Sequence, residues 1–168
     1  MKILVMSDTH GDAEVIRLVR SQQEDSDIVI HCGDSELSYD HPNLADVVRV
    51  RGNCDYTDNR FPDEDVIIHG HVKIYVTHGH LFQVKSSLLA LSYRAKELGA
   101  NICCFGHSHV LGAEMIDDIL FINPGSLLMP RGRREQSYVV LTVEQEAYKV
   151  ECFTRQGELF ETLHFNRH

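Results

Sequence analysis

The chain lacks any apolar run approaching the ~20 residues that a membrane-spanning helix requires. It also lacks a CxxC pair. Its five cysteines, Cys32, Cys54, Cys103, Cys104 and Cys152, are an odd number, which suits reduced thiols better than a disulfide framework. A basic excess is missing too: 16 Lys and Arg face 25 Asp and Glu, for a formal net charge of −9. An extended nucleic-acid binder needs a cationic face to neutralise phosphates, so that class is disfavoured. The opening MKILVMSDTHGD is too short in apolar residues for a signal-peptide core, and no repeat, low-complexity tract or linker interrupts the sequence. These absences lead to the expectation of a cytoplasmic protein, without membrane contact, folding as one domain over 1–168.

What is present is a globular composition, 43% hydrophobic and 24% charged, together with 11 histidines. That composition supports a sizeable core. The histidines are the anomaly, because imidazole is the commonest metal ligand and titrates near neutral pH. Short apolar runs predict buried strands at Lys2–Met6, Asp27–Cys32 and Val47–Arg51. Asp12–Gln23 predicts a helix, with Asp12 as N-cap and Val15, Ile16, Leu18 and Val19 at helical spacing. Further on, Asp65–Thr77 reads as two strands about a turn at Gly70, Ser86–Leu98 as a helix closed by Gly99, and Ile102–Phe105 as another buried strand. Hairpins follow, Ala113–Ile116 with Leu120–Ile122 and then Tyr138–Val143 with Tyr148–Phe153, before a last strand at Leu159–Phe165. Tyr138, Tyr148, Phe153, Phe160 and Phe165 are expected to pack a sheet face or to form a dimer surface.

Five segments leave metal-capable side chains just past these strands. They are Asp8-Thr9-His10, Gly33-Asp34, Gly52-Asn53-Cys54-Asp55, His78-Gly79-His80 and Gly106-His107-Ser108-His109. Ligands of an open α/β sheet bind beyond the carboxyl ends of its strands, so the five can converge on one site. Each alone has an ordinary reading: a helix cap beside a turn histidine, a Gly-Asp turn, an Asn that tolerates a left-handed turn. The shared position after strands is what turns five weak signals into one strong one.

With these motifs in this order, the sequence resembles the calcineurin-like metallophosphoesterases, and within them the small bacterial and archaeal metal-dependent phosphodiesterases. The resemblance spans nearly the whole chain, from Asp8 through Asn123-Pro124-Gly125-Ser126 to the terminal strands. It implies an α/β fold, a four-layer α/β/β/α sandwich, with two metal ions at the strand ends. It places one ion on Asp8, His10, Asp34 and His109, and the other on Asp34, Asn53, His78 and His107, with Asp34 shared. Asp34, Asn53 and Asp55 are the implied catalytic residues, and His80 lies near the ligands without being one. Carboxylate, imidazole and amide oxygen suit Mn, and equally Ni, Co, Fe or Zn. Two such ions can share a hydroxide for in-line attack on a phosphodiester, and they offset the acidic chain where an anionic small phosphoester must bind.

Many family members carry His where this chain has Cys54, and that His is taken to assist the leaving group. The resembled subfamily also carries Cys there; the simpler reading of Cys54 is a small buried residue. A thiol is a weak donor, so activated diesters are expected to be preferred over alkyl monoesters. Arg131, Arg133 and Arg134 read as a solvated hairpin tip, or, for Arg131, as a substrate contact. The competing functions are a protein-interaction scaffold, because the family includes a retromer subunit that binds proteins, a phosphomonoesterase, and a nuclease. A homo-oligomer is left open.

Overall fold

The computed structural model describes residues 1–168. Its strands and helices follow in the order β1 (Lys2–Met6), α1 (Ala13–Gln22), β2 (Ile28–His31), β3 (Val48–Arg49), β4 (Glu64–His69), β5 (Val72–Thr77), α2 (Leu89–Glu97), β6 (Ile102–Cys104), β7 (Gly112–Ile116), β8 (Ile119–Asn123), β9 (Ser137–Val143), β10 (Ala147–Thr154) and β11 (Leu159–Asn166). Single 3-10 turns occur at Pro42–Leu44 and His80–Phe82.

Two sheets form, ordered β11-β10-β9-β1-β2-β3 and β4-β5-β6-β8-β7. The chain runs parallel through β1-β2-β3 and through β5-β6-β8. These two parallel sets matter most for function, because they bring the carboxyl ends of six strands toward one edge of the molecule. The remaining pairs are antiparallel.

Burial explains the layering. Ile3, Val5, Ile30, Ile74, Val76, Ile102, Ile122 and Leu141 interdigitate between the two sheets. The other face of the first sheet packs Leu4, Met6 and Val140 against Val15, Ile16 and Val19 of α1. The other face of the second sheet packs Tyr75, Cys103 and Phe121 against Leu91 and Ala95 of α2. The result is the expected α/β/β/α sandwich, whose central strands are apolar on both faces because both are covered. Asp12 caps α1, its Oδ1 accepting from the Val15 N–H at 3.1 Å, a contact worth about 1 kcal/mol. Leu18, expected on the buried stripe, is 39% exposed at its margin.

Two elements are shorter than expected for local reasons, and the terminal aromatics divide between faces. The third strand is only Val48–Arg49, because Arg51 N–H leaves the sheet to bond Pro62 O at 2.7 Å. Helix α2 begins at Leu89 instead of Ser86, since Ser87 Oγ accepts from Leu89 N–H at 3.0 Å and holds a local turn. The terminal aromatics serve two faces: Tyr138 and Phe153 stack at 5.3 Å on the α1 side, while Tyr148, Phe160 and Phe165 face the inter-sheet core.

Candidate metal centre

The side chains carried by five loops meet at the strand ends. Asp8 and His10 follow β1, Asp34 follows β2, Asn53 follows β3, His78 follows β5, and His107 and His109 follow β6. Five of these residues, Asp8, His10, Asp34, His107 and His109, have positive φ values between 42° and 70°. A non-glycine residue in that region costs about 1–2 kcal/mol, and such strain concentrates where a site over-determines the backbone. Close approach adds a second constraint. A Cβ on Gly106 would run into Ser7 Oγ and Asp8 Oδ2, and one on Gly52 into the Asp34 carboxylate and amide. Only glycine lets these loops pass so near the carboxylates.

Hydrogen bonds fix which ring nitrogens face inward. His78 Nδ1 lies 2.7 Å from Cys32 O and His109 Nδ1 lies 2.7 Å from Met129 O. A carbonyl only accepts, so each Nδ1 carries a proton, and Nε2 is the atom that each ring turns toward the neighbouring carboxylates. His78 Nε2 then stands 3.2 Å from Asp34 Oδ2, 3.1 Å from Asn53 Oδ1 and 3.8 Å from Asp8 Oδ1. His109 Nε2 stands 3.1 Å from Asp8 Oδ1 and 3.3 Å from His10 Nε2. Asp34 Oδ2 lies between the two groups, 4.0 Å from His10 Nε2. Asp8 Oδ1 is buried and has no hydrogen-bond donor.

Electron-pair donors brought together in this way demand positive charge among them. Burial opposes ionisation of Asp8, yet His10, His109, His78 and the Ser7 hydroxyl hold its carboxyl far below the usual range. Asp34 is likewise lowered: burial works against it, and the His78 ring outweighs burial. The Asp8 carboxylate raises His10, and for His78 the Asp34 and Asp8 charges overcome burial. The donor set fits divalent cations: Asp8, His10 and His109 lie close enough to hold one, and so do Asp8, Asp34 and His78.

The other predicted residues take distinct places. Asn53 points its Oδ1 at His78. The His107 ring lies 5.1 Å from that of His78, its backbone N–H donates to Asp8 Oδ2 at 3.1 Å, and burial with the nearby His78 and Lys85 charges pushes it down to about 4. The His80 ring is 5.4 Å from His78, and its Nδ1 is buried without a partner. Asp55 has both carboxylate oxygens occupied by main-chain donors: Asp34 and Gly52 N–H on Oδ2 at 2.7 and 2.8 Å, and Glu36 N–H on Oδ1 at 2.8 Å. Cys54 N–H donates to Asp34 Oδ1 at 2.8 Å, and burial beside Asp34 and Glu36 pushes its thiol up to about 12. Arg131 N–H donates to His109 O at 2.9 Å, and its side chain is exposed.

Sequence reasoning missed several contributors. Glu36 Oε1 stands 3.7 Å from His10 Nδ1. Ser126 Oγ donates to Asp8 O at 2.7 Å, and Ser7 Oγ donates to Asp8 Oδ2 at 2.5 Å. His31 accepts the Gly33 N–H on Nδ1 at 3.1 Å, so its Nε2–H donates to Thr9 Oγ1 at 2.9 Å. This fully buried ring thereby ties the Asp8 loop to the Asp34 loop. A histidine inside the apolar run IVIHCGD was the available signal.

Comparison with known proteins supplies the class and the family. The chain belongs to the calcineurin-like phosphoesterase superfamily, whose domain model matches residues 1–146. It is 46% identical, over 97% of this chain and 96% of the relative, to the probable metallophosphoesterase YsnB of Bacillus subtilis. It is 30% identical to the phosphodiesterase MJ0936 of Methanocaldococcus jannaschii, over 74% of this chain and 83% of that protein. A solved predicted phosphoesterase of Streptococcus pneumoniae superposes with a TM-score of 0.94 at 39% identity, covering 99% of this chain and 97% of the other. No helix is long and apolar enough to cross a membrane.

Proposed function

We propose that this phosphoesterase is a binuclear metal-dependent phosphodiesterase acting on a small phosphoester. One observation carries the reading: carboxylate, amide-oxygen and ring-nitrogen atoms of Asp8, His10, Asp34, Asn53, His78 and His109 converge, with neighbouring pairs 3.1–4.0 Å apart. In this reading Asp8, His10, Asp34 and His109 hold one ion, Asp34, Asn53, His78 and His107 hold the second, and Asp34 joins the two. The ions, Mn by preference, supply Lewis acidity at phosphorus and a water acidified to near neutral pH.

The remaining residues have roles that follow from their contacts. Asp55 fixes the Asp34 and Gly52 loops through main-chain hydrogen bonds and so positions Asp34. Cys32 O and Met129 O hold the His78 and His109 tautomers. Cys54 remains a neutral thiol and protonates a leaving group poorly. Substrates with good leaving groups, aryl diesters above all, therefore fit this site better than alkyl monoesters. A non-catalytic scaffold has no need for such a ligand set, and strained backbone at five of its residues favours catalysis.

Metal content of purified protein tests the reading. After chelation and reloading with Mn²⁺, wild type is expected to retain two ions per chain, and Asp34→Asn fewer than one. Equal stoichiometry in both proteins, or one ion in wild type, refutes the shared-carboxylate arrangement.

A further inference from the structure

Helix α2 rests over β5 and β6 through Leu91 and Ala95. It leaves the site end of β7 uncovered, where Gly112 and Glu114 pair with Asn123 and Phe121 of β8. Paired antiparallel residues share a face. Gly112 has no side chain and Glu114 is exposed, so neither fills the space beside Phe121. A cleft of about 540 Å³ results, floored by Phe105 and Phe121 and roofed by Val84 and Leu88. That volume is typical of a small-molecule site. A second cleft, of about 480 Å³, is lined by Arg17, Arg20, Ser26 and Asp27 at the opposite end of β2, away from the ligand loops.

We propose that the Phe105–Phe121 cleft receives the ester substituent of the phosphoester, and that this substituent is aromatic or otherwise apolar, not polyhydroxylated. The inference rests on the phosphodiesterase reading of the adjoining centre. Proximity supports it first: Ser108, which lines the cleft, stands in the chain between His107 and His109, and Val84, also of the lining, lies against Gly79, next to His78. Charge supports it second. Lys85 lines the cleft and brings a cationic side chain to it, a counter-charge for a phosphoryl anion.

The polar groups of the cleft decide between substituents. Asn123 Nδ2 donates to Ser108 Oγ at 2.8 Å and to Gly106 O at 3.2 Å, and its Oδ1 accepts from Gly125 N–H at 3.0 Å. Ser108 Oγ also accepts from Val110 N–H at 3.3 Å. With these groups committed to one another, sugar hydroxyls entering the cleft would find Lys85 and Glu114 as partners in an otherwise largely apolar lining, and would give up water for few others. An aromatic ring gives up less there, and covers the half-buried Leu88 and the exposed Val110, while Phe105 and Phe121 line the cleft from within the core.

Gly112 offers a direct test, since a Cβ there meets nothing within 4 Å and its backbone is not left-handed. Gly112→Leu therefore projects a side chain into the cleft without strain. Titration of Mn²⁺-loaded protein with phenylphosphonate and methylphosphonate is expected to show the phenyl compound binding at least ~10-fold tighter to wild type. Gly112→Leu is expected to bring that ratio close to unity, and Leu88→Gln at the roof to lower it roughly threefold. Equal affinities in wild type, or a ratio unmoved by both substitutions, overturn the proposal. Phosphoester hydrolysis by the same samples separates the two claims. An aromatic preference without hydrolysis sinks the enzymatic reading and leaves the cleft, whereas hydrolysis without the preference sinks the cleft alone.

Discussion

His31 shows how far a single buried ring reaches. Burial pushes it down to about 4, so the folded chain keeps it neutral. In the unfolded chain an imidazole titrates near ~6.5. Between those values the unfolded state binds the extra proton, so stability rises with pH and falls as the solution is acidified. Metal-free wild type is expected to lose on the order of 1–2 kcal/mol between pH 7.5 and pH 5 from this residue. Urea unfolding of His31→Gln at both pH values checks it; a fall as steep as in wild type contradicts the assignment. Cys54 gives a second test at this scale. With a thiol held neutral and donating weakly, aryl diesters should be cleaved about 10²–10⁴-fold faster than alkyl monoesters. Cys54→His should narrow that gap, and comparable wild-type rates on both substrates would refute the role given to the thiol.

Between elements, the connections carry the chemistry. Every candidate ligand follows a strand, and the sequence showed this because each strand is an apolar run ended by Gly, Asp, Asn or His. The β1-α1-β2 unit, the turn at Gly70 and the hairpins after β6 were legible for the same reason, a change of hydrophobic period at a turn residue. Less was legible where long-range contacts decide. Nothing in Val47–Arg51 announces that Arg51 will bond Pro62 O, and nothing in Asp55 announces that three main-chain donors will take up its carboxylate. The positive φ of Asp8, His10, Asp34, His107 and His109 was hidden too: Asp and His enter that region more readily than most residues, but the type alone does not say which of them will. Glycine contacts make the loops testable. Gly52→Ala forces a methyl into Asp34 and is expected to cost about 1–3 kcal/mol. The rise in melting temperature on adding Mn²⁺ should shrink with it. A variant that melts like wild type, with and without Mn²⁺, contradicts the close-approach argument.

At the scale of the whole molecule, two parallel strand sets on facing sheets bring their carboxyl ends to a common edge. The inter-sheet core joins the two sheets there, and candidate ligands separated by up to 101 positions, Asp8 to His109, stand 3.1 Å apart. The chain is acidic, and two divalent ions would change its formal charge from −9 to −9 + 4 = −5, placing the added positive charge where an anionic substrate must bind. Binding to the folded state alone also stabilises it by mass action, so a chelator should lower the melting temperature. The central claim is that this edge is a binuclear catalytic centre. Hydrolysis of an aryl phosphodiester by chelated protein, with Mn²⁺, Ni²⁺, Co²⁺, Zn²⁺ or Mg²⁺ added back, measures it most directly. Activity restored in wild type and abolished in Asp34→Asn is the predicted result, and a folded protein inactive with every ion would contradict it.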